Sequence, residues 1–182
     1  MSRRERLYDQ LVRTLPRSER VITGPDRAGA IRRCVDAMWE ALSPTGVSWL
    51  GFYVKAPGEE MLLEACRDKP ACSPIGLHGA CGRSWTTRRM LVVTDVSRLG
   101  AGYIACDPRD RSEVVVPMFE ATDHHAGTGP GACWGVLDVD SFDVGAFDAD
   151  DARGLWRVCE HAGLTRVPEV ARRAAAVGID VV

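Results

Sequence analysis

Apolar positions recur along this chain with two different periods. "ERLYDQLVRTL" near the N-terminus reads as a short amphipathic helix. From about Asp26 to Leu42, the residues Ile31, Cys34, Val35, Met38, Trp39 and Leu42 fall at helical spacing, and Pro44 with Gly46 marks the end of that helix. The period then shortens to two. "VSWLGFYV", rich in β-branched and aromatic residues, predicts a strand; "PGEE" is a turn, and "MLLEAC" completes a hairpin. "RDKPACSPIGLHG" reads as a long loop, "ACGRSWTTRR" as a short helix and "MLVVTDV" as a brief strand. "EVVVPMF" and "CWGVLDVD" predict two further strands, separated by the glycine-rich "EATDHHAGTGPGA". Asp148 has the character of a helix cap, with Leu155, Trp156 and Cys159 forming an apolar stripe beyond it. The tail "EVARRAAAVGIDVV" is expected to extend or follow that helix. Helices outside and a largely antiparallel sheet between them make the fold class α+β.

The totals narrow the function classes without choosing among them. The 182 residues suit one domain spanning 1–182, its core at about 26–165 between an N-terminal helix and a C-terminal helical tail. An apolar fraction of 46% and a charged fraction of 26% belong to a soluble globular protein. A net charge of -2 gives no reason to expect a nucleic-acid partner. No apolar run approaches the roughly 20 residues of a membrane span. "MSRRERLYDQ" lacks the apolar centre of a secretory signal, so the expected location is the cytoplasm.

Cysteine changes the picture. There are seven, an odd number for a disulfide framework in a reducing compartment. Cys34 and Cys159 belong to helical apolar stripes, and Cys66 and Cys133 stand at strand ends, so all four are expected to pack. Cys72, Cys81 and Cys106 lie in loops or at a loop–helix junction, each among small residues: "PACSP", "GACGR", "IACDP". Loops on rigid scaffolds are where reactive groups concentrate. A helix start at Cys81 would lower its thiol pKa through the helix dipole. Three unrelated surface thiols remain the bland alternative. Zinc is disfavoured: Cys66, Cys72, His78 and Cys81 give C-x5-C-x5-H-x2-C, looser than the usual structural pairs. His124 and His125 read as solvated loop residues.

Two strands carry further candidates. Asp138 and Asp140, at i and i+2 in "GVLDVDS", project from one face, where mutual repulsion lets one carboxyl keep its proton near neutrality. Glu113, opening the strand expected to pair with theirs, can join them. Exposed strand-end acids are the competing reading. Trp49, Gly51 and Tyr53 share a face of "WLGFY", so the two aromatics can flank a hollow over the glycine; a plain core stripe is the alternative. A thiol nucleophile, proton-bearing acids and an aromatic-walled hollow suit redox chemistry on a small molecule.

The motifs "SWLGFYV", "KPACSPI", "GACGRSW", "IACDPRDRSEVVVPM", "WGVLDVDS" and "FDADDARGL", in this order between Val47 and Leu155, resemble those of GAF-domain proteins and, more closely, of the free methionine-(R)-sulfoxide reductases. The resemblance implies a GAF fold: a six-stranded antiparallel sheet with helices packed on one side, usually in a homodimer. It implies that Cys106 attacks the sulfoxide sulfur and becomes a sulfenic acid, that Cys72 condenses with it, and that Cys81 can exchange into the disulfide. Thioredoxin would restore the dithiol, with no bound cofactor or metal. Glu113, Asp138 and Asp140 match the family's acids around the sulfoxide oxygen, and Trp49 and Tyr53 its aromatic wall around the S-methyl group. The long "FEATDHHAGTGPGACWG" segment, and His78 and Trp85 near Cys81, depart from the family pattern. A GAF sensor that binds a ligand without turnover, and a thiol redox switch, remain the alternatives.

Overall fold

The computed structural model describes residues 2–69, 71–100, 106–121, 131–167 and 177–182. Two N-terminal helices, α1 (Arg3–Thr14) and α2 (Pro25–Leu42), precede a hairpin of β1 (Val47–Lys55) and β2 (Glu60–Arg67). A short β3 (Ile75–Gly76) and helix α3 (Ala80–Thr87) follow, then β4 (Met90–Val93), β5 (Ser112–Phe119), β6 (Cys133–Ser141), helix α4 (Ala149–His161) and β7 (Ile179–Val181). Asp148 caps α4 as expected, its carboxylate accepting from the amides of Asp150 and Asp151. The sheet order is β3-β2-β1-β6-β5-β4-β7, antiparallel throughout except where β7 runs parallel to β4.

The sheet's two faces are distinct because the side-chain period of a strand is two. On one face Leu50, Phe52, Val114, Val116, Leu137 and Val139 pack against Ile31, Val35 and Met38 of α2 and Leu155 and Val158 of α4. Cys34 and Cys159 are fully buried in this layer, as their stripes predict. The alternate positions, Trp49, Tyr53, Val115 and Val136, point to the opposite face, covered by Ala80 and Cys81 of α3. The helices therefore do not all lie on one side: α2 and α4 cover one face, with α1 packed against those two helices, and α3 lies across the other. A register shift between Val47 and Trp49 returns Val47 to the first core, so the bulge sets which residues reach the second face.

One expectation needs correction, and another falls where the structure is not described. The last residues are not helical: Ile179–Val181 pair with β4 and add a seventh strand. The 120–132 loop, with His124 and His125, falls mostly outside the described residues. Among the described residues no helix is long and apolar enough to cross a membrane.

One packing contact sets the position of α1. Gly154 of α4 lies against the Tyr8 ring, so closely that a Cβ there would come within 2.1 Å of Tyr8 Cδ2. Tyr8 has no room to retreat: it is 2% exposed and its hydroxyl donates to Asp151 Oδ1 at 2.8 Å. Helix propensity alone would favour alanine over glycine by about 1 kcal/mol. The clash reverses the sign. Gly154→Ala is expected to destabilise the protein by about 1 to 3 kcal/mol, and thermal unfolding checks it through a lowered Tm.

Candidate active site

The second face carries the site because strand register aligns four pairs of residues that are far apart in sequence. Trp49 of β1 stands opposite Asp140 of β6, and Asp140 stands opposite Glu113 of β5 on its other side. One repeat along, Gly51 is opposite Asp138, which is opposite Val115. The acids thus form a buried group in the middle of the sheet, not an exposed strand end. Carboxylate oxygens of Glu113, Asp138 and Asp140 lie within 4.8 Å of one another, and the three residues are 4%, 7% and 8% exposed.

Burial decides the protonation of these acids. It raises Asp138 to about 7, and raises Asp140 well above the ordinary carboxylate range, with repulsion from Asp138 and Glu113 adding to the effect. Asp138 Oδ2 accepts from the Cys81 thiol at 3.2 Å, while Oδ1 is buried without a hydrogen-bond partner among the described residues. Buried polar atoms are nearly always partnered, so this one marks a site whose polar groups are not all used by the fold. Asp138 and Asp140, pushed toward the neutral form, can give a proton to a bound ligand. The Cys66, Cys72, His78 and Cys81 set does not converge. Among the described residues, the metal-competent cluster consists of the three acids alone.

The aromatic wall is present, but the hollow is not over Gly51. A Cβ at Gly51 would come within 2.5 Å of the Trp49 ring and 2.9 Å of Cys66 Cβ. The missing side chain lets the indole lie down on its own strand. That packing leaves the cavity beyond it, over β6. Trp49 and Tyr53 rings sit 6.1 Å apart at 35°. Their polar ends anchor the loop after β2: Trp49 Nε1 donates to the Lys69 carbonyl and Tyr53 OH to the Cys72 carbonyl, both at 2.9 Å.

That loop brings Cys72 to Cys106. Both thiols are free and exposed, and they lie within hydrogen-bonding reach of each other. The two loops are also tied by an ion pair between Lys69 and Asp107, the residue after Cys106. Burial and the contact with Cys72 push the Cys106 thiol up to about 12. Cys81 departs from expectation. It is the second residue of α3, but burial and the neighbouring Asp138 raise its pKa well above normal, outweighing the helix dipole. Its thiol serves Asp138 as a hydrogen-bond donor. Cys66 and Cys133 are half-buried and directed to backbone carbonyls, as packing residues would be.

All eight residues anticipated from sequence line one cavity of about 290 Å³: Trp49, Tyr53, Cys72, Cys81, Cys106, Glu113, Asp138 and Asp140. Small-molecule sites typically start near this size, about 300 Å³. Sequence reasoning missed Asp110, a buried acid on the same wall whose Oδ1 accepts from Ser48 Oγ at 3.3 Å. It reads locally as a turn residue, and only the register of the neighbouring strands discloses its place.

The chain matches no protein-family model. It is 31% identical over 157 residues to GAF domain-containing protein A of Dictyostelium discoideum, covering 85% of this chain and 89% of that one. It is 33% identical over 128 residues to the free methionine-R-sulfoxide reductase of Saccharomyces cerevisiae, covering 68% of this chain and 66% of the yeast protein. The crystal structure of free methionine-R-sulfoxide reductase from Neisseria meningitidis in complex with its substrate superposes with a TM-score of 0.69 at 29% identity, over 96% of each chain. The chain belongs to the GAF-domain family that contains the free methionine-(R)-sulfoxide reductases.

Proposed function

We propose that this protein is an oxidoreductase that reduces free L-methionine (R)-S-oxide to L-methionine. The observation that carries the reading is the meeting of a thiol pair, protonated buried acids and two aromatic rings around one amino-acid-sized cavity. The names of the yeast and Neisseria relatives support the substrate. The Dictyostelium relative's name gives the domain alone.

In this mechanism Cys106 Sγ attacks the sulfoxide sulfur. The sulfoxide oxygen is a poor leaving group until it is protonated, and Asp138 or a neighbouring acid donates to it. The S=O bond breaks, the oxygen passes with its donated proton to Cys106 as a sulfenic acid, the Cys106 thiol proton restores the carboxyl that gave its own, and the thioether leaves. The sulfur of methionine gains the two electrons that Cys106 loses. Cys72 then attacks Cys106, releasing water and forming a disulfide. An external dithiol reductant, thioredoxin by the family resemblance, returns both thiols. The protein needs no resident cofactor for this cycle. Trp49 and Tyr53 take the S-methyl group beside the polarised sulfur. With methyl, oxygen and attacking thiol each given a separate wall, one epimer fits.

The test follows methionine release from each free epimer with thioredoxin or dithiothreitol. The R epimer alone is expected to be consumed. Binding without methionine release would instead assign the chain to the ligand sensors. In the same assay Cys72→Ser is expected to yield about one methionine per protein and then lose thioredoxin-dependent recycling. Equal thioredoxin-dependent rates in variant and wild type would remove Cys72 from the resolving role.

A further inference from the structure

The cavity holds a fourth carboxylate for which oxygen protonation has no use. Asp110 is 5% exposed and lies on the cavity wall. Its backbone is fixed: its amide donates to the Asp107 carbonyl at 3.1 Å, and the next amide, of Arg111, donates to Ser141 at the end of β6 at 2.8 Å. These bonds put Asp110 at the Asp140 end of the acid row, beside Ser48 and Trp49. Asp138, which accepts from the Cys81 thiol, is near enough to feel the charge of Asp110, and Cys106 borders one recess with Asp110 and Asp140.

Asp110 shares the burial of its neighbours but differs in the groups around it. Burial and Asp107 raise its pKa, but the Ser48 hydroxyl and Lys69 favour its ionised form. At Asp138 the lowering contributions come from hydrogen bonds of Cys81 and Val139 and not from a cation. No lysine or arginine lines the cavity among the described residues, so a cation that neutralises Asp110 from inside the cavity must come with the ligand.

We infer that Asp110 binds the ammonium group of the substrate and is the residue by which this cavity selects a free amino acid. The inference rests on the function proposed above. An acid that donates its proton to the sulfoxide oxygen does not at the same time hold a fixed cation, so the two tasks fall to different carboxylates. The spacing agrees. One two-residue repeat separates the Asp138 and Asp140 rows, about 7 Å along the strand. Methionine places its ammonium nitrogen four bonds from sulfur, roughly 5 Å at ordinary bond lengths. With the sulfur at Cys106, Asp110, which borders the same recess, stands on a wall that a nitrogen one such span away can meet.

The test compares wild type with the near-isosteric Asp110→Asn on two substrates: free methionine (R)-sulfoxide and 4-(methylsulfinyl)butanoate, which lacks the ammonium group. For the amino acid, KM is expected to rise about 10- to 100-fold, the effect of one charge-assisted contact, with kcat changed much less. For the des-amino compound, the two proteins should have similar KM. An unchanged KM for the amino acid, or an equal rise for both compounds, overturns the assignment. Calorimetric titration with methionine, which needs no turnover, separates this inference from the reaction. Affinity that depends on Asp110 without turnover overturns the reaction and keeps the ammonium site. Turnover with affinity independent of Asp110 overturns the ammonium site and keeps the reaction.

Discussion

Replacing Cys106 with serine is expected to lower the turnover of free methionine (R)-sulfoxide by at least about 10³-fold. A hydroxyl has the shape of the thiol but neither its nucleophilicity toward sulfur nor a stable oxidised form that can accept the oxygen. The environment of Cys106 makes the expectation sharper. Its thiol is not activated in advance; burial and Cys72 push its pKa up to about 12, so it rests protonated near neutrality. Reactivity must then come from the substrate, whose sulfur becomes electrophilic as its oxygen is protonated. A passing alkylating agent or peroxide, which brings no such activation, is expected to react more slowly than a bound sulfoxide. Trapping checks the identity of the sulfur independently of rate. Treated with substrate and dimedone, Cys72→Ser should gain one adduct, at Cys106, and the Cys72→Ser/Cys106→Ser double variant should gain none. An adduct in the double variant, or appreciable turnover by Cys106→Ser, would transfer the nucleophile's role to another thiol, Cys81 first among them.

The elements that form the helical core were legible because their periodicity is local. Ile31, Cys34, Val35 and Met38 announce α2 without reference to the rest of the chain, and all four are buried there. The site's residue types were legible for a related reason. Alternation puts Trp49 and Tyr53 on one face of β1, and Asp138 and Asp140 on one face of β6, whatever those strands pair with. Their meeting depends on register, Trp49 against Asp140 and Asp140 against Glu113, which is a non-local property. The same limit hid four features. Ile179–Val181 is too short and too mixed to signal a strand, and it forms one because β4 offers an edge. Gly51 reads as the floor of a hollow, but its own neighbour Trp49 fills the space. Cys81 is at a helix start, yet the acids that face it come from β6. Asp110 follows Cys106 by four residues in a turn-rich stretch, and nothing local distinguishes it from Asp107, which lies at the surface paired with Arg109 and Lys69. In each case the missing information was which distant segment supplies the neighbours.

Asp138→Asn should cut catalysis and raise stability, and the pH dependence of both effects identifies the proton donor. With Asp138 raised to about 7 by burial, its protonated form predominates below that pH. As donor to the sulfoxide oxygen, it gives kcat a descending limb above pH 7, about tenfold per pH unit. Asparagine keeps the shape and can still accept from Cys81, but has no carboxyl proton to give. A loss of about 10²- to 10⁴-fold is expected at pH 6, with the limb near 7 abolished. Survival of that limb in the variant would assign the proton to Asp140 or Glu113. Stability supplies the second readout. The folded-state pKa lies above the unfolded one, so the folded protein binds the extra proton, and wild type loses stability as pH rises from about 4 to about 7. Above 7 the loss is complete, on the order of 4 kcal/mol. The variant escapes it: relative to wild type in urea unfolding, it should match near pH 4, gain through pH 6 and level off by pH 8. A difference independent of pH would mean that Asp138 does not change its charge in this range, and the acid held neutral for the substrate would have to be another. If both signatures appear together, the residue that destabilises the fold at neutral pH is the one that performs the proton transfer. A carboxyl kept from ionising by its surroundings loses solvation in the folded state, and the same loss is what makes it an acid at pH 7.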